Sequence, residues 1–231
     1  FTTLESAELS KYASNAFLAM KISYINEIAL LSEKLNANVN DVAKIMGLDS
    51  RIGKDFLKAG LAYGGSCFPK DTLSLLNTAE NVGSDLGIVS SAVKTNEYMK
   101  EYLLNKIISK VGDVKNKNIA VLGLSFKPET DDIRESPSIS LIRKIVYAGG
   151  HVKVYCPKAM KNAKIEMDDI KDCVTFTKNE YQCTQNTDML VLATEWEQFK
   201  DLDFIKIKNH MNSNYFFDLR NMFVDKENIK N

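Results

Sequence analysis

The chain has 231 residues, and its 30 basic and 30 acidic side chains give a formal net charge of +0 at pH 7. Balanced charge argues against a nucleic-acid-binding surface, and the length is enough for one or two hydrophobic cores. The apolar runs are too short to cross a bilayer, and the first residues lack the basic and apolar regions of a signal peptide, so we expect neither element.

The cysteines and histidines bound the chemistry further. Four cysteines are widely spaced without a CxxC pair: Cys67, Cys156, Cys173 and Cys183. This pattern predicts reduced thiols in a cytoplasmic protein. With only His151 and His210 and no metal-ligand spacing, the sequence predicts no metal site.

Residues 4–36 are predicted to form one long helix, because apolar residues recur at helical spacing without proline or glycine. About thirty residues give a helix of roughly 45 Å, which suits a spine between two domains or against a second subunit. Lys11 and Asn15 lie four residues apart and therefore share a face. A solvated surface is the ordinary interpretation of such a pair; the alternative is a donor pair for an oxyanion.

A short helix and a long loop follow. Asn40 as N-cap and Gly47 as the C-terminal stop predict a helix between them. Residues 48–69 are then predicted as a glycine-rich loop with three basic residues: Arg51, Lys54 and Lys58. Such a loop suits an anion such as a phosphate, and the alternative is a mobile surface excursion.

The end of this loop carries the most informative motif, Gly-Gly-Ser-Cys-Phe-Pro-Lys-Asp over residues 64–71. Glycines allow close backbone approach, and a helix predicted over residues 71–82 would place its N-terminus just beyond Cys67, which favours a thiolate. Asp71 could act as a base or hold a water. A buried cysteine in a tight turn is the alternative. A further helix is predicted over residues 89–111.

The pattern changes near Gly112 to alternating strands and helices, which predicts domains over residues 1–112 and 113–231. The predicted strands are residues 119–122, 152–155, 174–176, 189–193 and 215–218. Ser136 and Pro137 begin a helix that ends before Gly149. The fold class is therefore α/β, with an all-helical first domain and a Rossmann-like parallel-sheet second domain, whose ligand would lie at the carboxyl ends of the strands.

The loop after the first strand contains Gly123 but no GxGxxG motif, so a nicotinamide cofactor bound wholly by this domain is not expected. The loop leads to a helix N-terminus and carries Lys127 and Arg134, which suits phosphate groups. A solvated charged loop is the alternative.

These motifs, in this order, resemble the UDP-glucose/GDP-mannose dehydrogenase family. The similarity extends over essentially the whole chain and includes the start of the long helix around Lys11 and Asn15, the Arg51-Ile-Gly loop, the cysteine loop, the Phe-Lys-Pro segment at Lys127 and Phe-Asp-Leu-Arg at Arg220. It implies the central and C-terminal parts of a nucleotide-sugar 6-dehydrogenase, without a counterpart of the family's N-terminal NAD-binding Rossmann domain.

The resemblance implies a reaction and a set of roles. The reaction is the NAD-dependent, four-electron oxidation of UDP-glucose to UDP-glucuronate through a cysteine thiohemiacetal and thioester. Cys67 would be the nucleophile, Lys11 and Asn15 would stabilise the oxyanion, Lys11 would lower the thiol pKa, and Asp71 would handle the hydrolytic water. The implied substrate-binding residues are Arg51, Phe56, Lys58, Tyr63, Gly64 and Lys127. The implied cofactor-side residues are Lys70, Arg134 and Arg220.

The resemblance also implies a homodimer built on the long helix, with Arg51 reaching the UDP-sugar of the neighbouring subunit, and NAD bound mainly by a domain outside this chain. Three alternatives stay open. The substrate could be GDP-mannose or a UDP-N-acetylhexosamine, although the Arg51 loop is more similar to the UDP-glucose branch. The chain alone could be a non-catalytic sugar-nucleotide-binding or dimerisation module. A cysteine hydrolase would require a histidine base near Cys67.

Overall fold

The computed structural model describes residues 1–223, and the chain divides into two compact units, Phe1–Met99 and the part from Lys100 onward. The first unit is helical. Its elements are α1 (Leu4–Leu35), α2 (Val39–Gly47), α3 (Phe68–Asn81) and most of α4 (Gly87–Val111). The division after Met99 falls inside α4, which ends at Val111. The domain boundary that the sequence predicts at residue 112 stays a prediction.

The long helix α1 is confirmed, but its buried side is not the one that carries the large apolar residues. Helix α1 packs on α3, and its buried residues are small or polar, with Ile25 as the one large exception: Ala16, Ala19, Ser23, Ile25, Asn26 and Ser32. Several large apolar residues of the predicted stripe are exposed instead: Leu9, Phe17, Tyr24, Leu31 and Leu35. Small residues let helices approach closely, which explains the choice of inner face.

The start of α2 and the start of α3 differ from the prediction, whereas α2 ends at Gly47 as predicted. Asn38, not Asn40, is the N-cap of α2, and its side chain accepts a hydrogen bond from the Asn40 amide at 2.9 Å. Gly47 is the last residue of α2, where an added Cβ would lie 2.9 Å from the Lys54 Cα. Helix α3 begins at Phe68, three residues earlier than predicted, because Pro69 suits the first turn of a helix.

The second unit contains a parallel five-stranded sheet, as predicted. The strands are β1 (Asn118–Leu122), β2 (His151–Tyr155), β3 (Val174–Phe176), β4 (Met189–Leu192) and β5 (Tyr215–Asp218), in the order β3-β2-β1-β4-β5. Strands β1 and β4 are buried at nearly every position, which is expected of central strands covered on both faces.

The helices of this unit include several that the sequence analysis did not place. They are α5 (Pro137–Tyr147), α6 (Met160–Glu166), α7 (Glu180–Thr184) and α8 (Phe204–His210), with 3-10 helices at Asp168–Cys173 and Glu197–Asp201. Ser136 precedes α5 as predicted, but its hydroxyl donates to the Leu124 carbonyl at 2.7 Å rather than capping the helix. Within residues 1–223, no helix has the length and apolar character needed to cross a membrane.

Candidate active site

The site in the helical unit is built where α3 begins beside α1. Cys67 is exposed and occupies the N-cap position of α3, with its sulfur 3.7 Å from the Ser66 hydroxyl. Gly65, two residues earlier, has φ +84°, a conformation that favours glycine and turns the chain into the helix. The thiol therefore stands at the positive end of a helix dipole and is open to solvent.

Asp71 is the buried member of this site. Its side chain accepts a hydrogen bond from Asn15 Nδ2 at 2.6 Å and forms an ion pair with Lys70. Burial alone would raise the pKa of Asp71, but the hydrogen bonds from Lys70 and Asn15, helped by the charges of Lys70 and Lys11, outweigh burial and hold the pKa below its ordinary value of 3.8. Asp71 is therefore a carboxylate at neutral pH.

Two lysines complete the group. The hydrogen bond to Asp71 raises the pKa of Lys70, and the negative charges of Asp71, Tyr12 and Cys67 act in the same direction. Lys11 is exposed on α1, with its Nζ 5.9 Å from the Tyr12 ring centroid, and its charge acts on Asp71. The structure thus brings the predicted residues Lys11, Asn15, Cys67 and Asp71 into one neighbourhood.

The loop before Cys67 contains most of the predicted substrate residues. Arg51 is exposed and donates to Asp49 from Nε at 2.9 Å, and this hydrogen bond lowers the pKa of Asp49. Phe56 has φ +63° and packs 5.9 Å from the Phe68 ring, and Lys58 is exposed. Tyr63 differs from the others because it is buried, with its ring edge-on to Phe68 at 6.1 Å.

Tyr63 and its neighbour Gly64 therefore belong to the packed part of the loop. Burial raises the pKa of the Tyr63 hydroxyl, partly offset by a hydrogen bond with Thr72. Of the two rings that pack against Phe68, next to Cys67, the Phe56 ring is exposed and the Tyr63 ring is buried.

In the sheet unit, the predicted residues follow the carboxyl ends of strands. Lys127 is exposed in the loop after β1, with its Nζ 5.5 Å from the Phe126 ring centroid. Arg134, in the same loop, pairs with Asp132 (Nη2 to Oδ2, 2.7 Å) beside a cleft of about 570 Å³. The hydrogen bond from Arg134 lowers the pKa of Asp132.

Arg220, after β5, is held more tightly than the other two basic residues. It donates to the Ala193 and Phe126 carbonyls at 3.1 and 3.0 Å and pairs with Glu195 at 2.8 Å. Its side chain is only 13% exposed. These contacts fix the loop that carries Lys127, a supporting role that the sequence did not indicate.

The glycine in the turn after β1 has a steric role. Gly123 has φ +96°, and an added Cβ would lie 2.6 Å from the Thr194 amide nitrogen. The glycine therefore allows close packing of the β1 turn against the end of β4. Among residues 1–223, no group of three or more His, Cys, Asp or Glu side chains could hold a metal ion.

Sequence analysis missed three side chains that hold the loop of residues 48–67. Asn26 and Asn96 are buried in α1 and α4 and bind loop backbone, and Lys21 Nζ donates to the Ile52 carbonyl at 2.9 Å. The available signal was a polar residue in the interior of an otherwise apolar helix pattern.

The fold and the site together define a class: an α/β protein with a helical unit that presents an exposed cysteine at a helix start and a parallel-sheet unit with basic loops at its carboxyl edge. Comparisons with known proteins agree with this class. Residues 5–98 match the central domain of the UDP-glucose/GDP-mannose dehydrogenase family, and residues 120–225 match the family's UDP binding domain. The chain belongs to the UDP-glucose/GDP-mannose dehydrogenase family.

Individual relatives are similar throughout the chain. A UDP-glucose 6-dehydrogenase of Rhizobium meliloti (strain 1021) is 46% identical over 231 residues, which is 100% of this chain and 52% of the relative. The UDP-glucose 6-dehydrogenase TuaD of Bacillus subtilis (strain 168) is 41% identical over 98% of this chain and 48% of its own length. This chain thus spans about half the length of the curated relatives it matches.

Two solved structures share the fold. The UDP-glucose dehydrogenase from Pyrobaculum islandicum superposes with a TM-score of 0.84 at 35% identity, over 93% of this chain and 51% of that one. A UDP-D-ManNAc dehydrogenase from Pyrococcus horikoshii has a TM-score of 0.79 at 28% identity, over 94% of this chain and 48% of that one.

Proposed function

We propose that this chain is the substrate-binding and catalytic-cysteine part of an NAD-dependent UDP-glucose 6-dehydrogenase that converts UDP-glucose to UDP-glucuronate. The observation that carries the proposal is the exposed Cys67 at the start of α3, next to a buried Asp71 carboxylate that Asn15 and Lys70 hold. The names of the family and of relatives such as the Rhizobium meliloti protein support the substrate.

The chain's own residues have the following proposed roles. The Cys67 sulfur adds to the C6 aldehyde of the oxidised sugar, which gives a thiohemiacetal, and loss of hydride from that carbon leaves a thioester. Asn15 Nδ2 uses one hydrogen on Asp71 and has a second for the oxyanion, while Lys11 adds positive charge. Asp71 orients the water that hydrolyses the thioester and releases the carboxylate and the thiol.

NAD would supply the acceptor for both hydrides. The turn after β1 contains Gly123 without the other glycines of a GxGxxG motif, so it lacks the fingerprint of a dinucleotide site. We therefore assign NAD binding mainly to residues outside this chain, with Lys70, Arg134 and Arg220 on the cofactor side. Lys70 and Arg134 are exposed enough for this role, whereas Arg220 already donates to two main-chain carbonyls.

For substrate binding, the exposed Phe56, Lys58 and Lys127 are proposed to contact the sugar nucleotide directly. Tyr63 and Gly64 would act through the loop backbone, since both are buried.

We further propose a homodimer through α1, with Arg51 of one subunit reaching the UDP-sugar of the other. Phe17, Tyr24 and Leu31 recur every seven residues on α1 and are all about half exposed. A stripe of this kind on a helix of 32 residues fits a second copy of the same helix. The Arg51 side chain is 88% exposed, and its surface ion pair with Asp49 is of the weak, exposed kind that can be exchanged for a contact with another subunit. The four unpaired thiols support a cytoplasmic location.

The substrate assignment is tested by calorimetric titration of this chain with UDP-glucose, GDP-mannose and UDP-N-acetylglucosamine. We expect selective binding of UDP-glucose, weakened about tenfold or more by Lys127→Ala, because a lysine contributes a charge-assisted contact to phosphate. Lys117→Ala is the matched control, since Lys117 is exposed at the opposite end of the same strand and should leave binding unchanged. Tighter binding of GDP-mannose or UDP-N-acetylglucosamine would transfer the proposal to that substrate.

The reaction itself is tested on the enzyme with its NAD-binding part included. Cys67→Ser should abolish the formation of UDP-glucuronate, and Asp71→Asn should slow thioester hydrolysis and let a covalent adduct accumulate that mass spectrometry detects. UDP-glucose binding without any NAD reduction by the wild-type enzyme would instead support the non-catalytic binding module.

A further inference from the structure

The segment that leads into Cys67 is buried although it is neither helix nor strand. Residues 57, 59 and 61–65 are all buried, and the segment from Gly60 to Cys67 has no regular backbone ladder. Buried N–H and C=O groups require partners. In this segment the partners at Gly60 and Tyr63 are asparagine side chains from two different helices.

Asn96, on α4, binds both main-chain groups of one loop residue. Its Oδ1 accepts from the Tyr63 N–H at 2.8 Å, and its Nδ2 donates to the Tyr63 carbonyl at 3.2 Å. Asn96 is 2% exposed, so water does not compete for these bonds. The amide pairs with Tyr63 as a neighbouring strand would, and it fixes the chain four residues before Cys67.

Asn26, on α1, binds the same segment three residues earlier. Its Oδ1 accepts from the Gly60 N–H at 2.9 Å, and the residue is fully buried. Asn26 and Asn15 are eleven residues apart, about three helical turns, so both lie on one face of α1. Because Asn15 binds Asp71, a single helix face holds the chain both before and after Cys67.

We propose that Asn96 and Asn26 are positioning residues that hold Cys67 in register with Asn15 and Asp71. This inference rests on the proposed function in that it takes Cys67 as the nucleophile. The Tyr63 ring, packed edge-on against Phe68 at 6.1 Å, connects the fixed backbone directly to the first residue of α3. Neither asparagine needs to touch the substrate, since each acts through the loop.

The test compares Asn96→Leu with Ser23→Ala. Leucine branches at Cγ as asparagine does but cannot make either hydrogen bond to Tyr63. Ser23 is buried on α1 and donates to the Ala92 carbonyl at 2.8 Å, so Ser23→Ala removes a bond between the same two helices without touching the loop. Asn96→Asp keeps the acceptor for the Tyr63 N–H but places a buried carboxylate oxygen against the Tyr63 carbonyl in place of the donor.

The variants at Asn96, Asn26 and Ser23 are compared first by their steady-state kinetics and then by the reactivity of Cys67. In the enzyme with its NAD-binding part, Asn96→Leu should lower kcat about 100-fold while KM for UDP-glucose changes little, because a misplaced nucleophile affects the reacting state more than substrate binding. Ser23→Ala should retain kcat, and Asn96→Asp should also lose kcat, because its carboxylate faces the Tyr63 carbonyl. Asn26→Leu should repeat the effect from the other helix.

In this chain alone, without substrate, the rate of Cys67 alkylation by iodoacetamide should change about threefold or more in Asn96→Leu and remain at the wild-type value in Ser23→Ala, since thiol reactivity follows its surroundings. Unchanged alkylation and unchanged kcat in a folded Asn96→Leu would overturn the inference. A decrease in kcat in Ser23→Ala as large as that in Asn96→Leu would overturn it too. An inactive wild-type enzyme with altered alkylation in Asn96→Leu would instead leave the positioning intact and contradict the proposed reaction.

Discussion

The two units hold their site-bearing loops by different means. In the helical unit, the loop of residues 48–67 is bound by side chains that reach out from helices: Lys21, Asn26 and Asn96. In the sheet unit, the loop after β1 starts with main-chain bonds, because the Gly123 amide donates to the Tyr155 carbonyl at 2.8 Å and the Ala193 amide donates to the Leu122 carbonyl at 2.8 Å. Side chains such as Thr194 and Arg220 then add to these bonds.

The difference follows from how each element uses its backbone. Inside a helix every N–H and C=O is paired within the helix, so only side chains can hold a neighbouring loop. At the carboxyl end of a parallel strand, main-chain groups of the next strand are still available to the departing chain. The loop with the proposed nucleophile therefore depends on a few individual side chains, whereas the loop with Lys127 continues the bonding pattern of the sheet.

The largest expected contrast between the two units is in thiol reactivity. Cys183 is fully buried in the sheet unit, and burial raises its pKa to about 12. At pH 8 a thiol with this pKa is a thiolate in only about one molecule in ten thousand, and burial also keeps the reagent away from Cys183, whereas Cys67 is exposed. We expect iodoacetamide to label Cys67 at least about 1,000-fold faster than Cys183, as measured by peptide mass spectrometry. The fast-labelled peptide should vanish in Cys67→Ser; equal rates at the two sites in the folded chain would contradict the structure.

The next largest effect is expected on the stability of the sheet unit, in Gly123→Ala. The substitution would push the turn after β1 away from the main chain at Thr194. The added Cβ would lie 2.6 Å from the Thr194 amide nitrogen, a backbone atom that cannot move alone, and φ is +96°. We expect a loss of about 3 kcal/mol or more in the free energy of unfolding, measured by urea denaturation. Gly112→Ala is the matched control: φ is +84° but nothing lies within 4 Å, so about 1–2 kcal/mol is expected. Equal losses would show that Thr194 can yield.

In the helical unit, Asp71→Asn should change how the free energy of unfolding depends on pH. The pKa of Asp71 is lowered in the folded chain, so its contribution to stability is present above the unfolded pKa near 3.8 and is lost as the pH falls through the folded pKa. At neutral pH the wild type should be more stable than Asp71→Asn by about 2 kcal/mol, and this difference should shrink between about pH 5 and pH 2. Urea denaturation across this range measures it.

Asp49→Asn is the control for this experiment. The Asp49 carboxylate pairs with Arg51 at the surface, and surface pairs contribute little to stability, so its pH-dependent difference should be smaller. A difference between wild type and Asp71→Asn that grows on acidification would mean that the Asp71 pKa is raised instead.

The smallest effect is expected for Lys21→Met, which removes one side-chain anchor from the Arg51 part of the loop. A half-exposed hydrogen bond to the Ile52 carbonyl contributes about 0.5 kcal/mol, so exchange of the Gly53 amide should be about twofold faster. Lys34→Met, on the same helix but away from the loop, should leave that amide unchanged. Hydrogen exchange followed by mass spectrometry measures the Gly53 amide in both variants. An unchanged exchange rate in Lys21→Met would mean that other contacts hold the Arg51 segment.

The elements with strong periodicity could be predicted from sequence. All five strands and the helices α1, α3 and α4 were located within a few residues, since apolar runs between glycines and prolines mark them clearly. Helices α6, α7 and α8 have 7, 5 and 7 residues, too few for a period of 3.6 to become visible. The cap of α2 was misplaced because Asn36, Asn38 and Asn40 alternate, and composition does not distinguish between them.

The site was predictable to a similar degree. The family resemblance groups Lys11, Asn15 and Asp71 with Cys67, and in the structure Asn15 and Lys11 do act on Asp71, four residues after Cys67. Their catalytic roles stay a prediction. The supporting residues were not found, because Asn26 and Asn96 act through the backbone of residues that are distant in sequence. A buried asparagine in a helix shows only that some polar group lies opposite, and the sequence does not say which. Apolar spacing also predicts the helix α1 without showing which side of it is buried, and many of its large apolar residues are exposed.

The eleven-residue separation of Asn15 and Asn26 has a consequence for how this chain can change in length. Insertion or deletion of one residue between them would turn one amide about 100° around the helix axis relative to the other. Gly60 and Asp71 could then no longer both be bound from α1. Substitutions on the exposed side of this stretch leave the geometry intact, but its residue count is fixed. Differences in length among functional variants are therefore expected in the loops and near the helix ends, and not between residues 15 and 26.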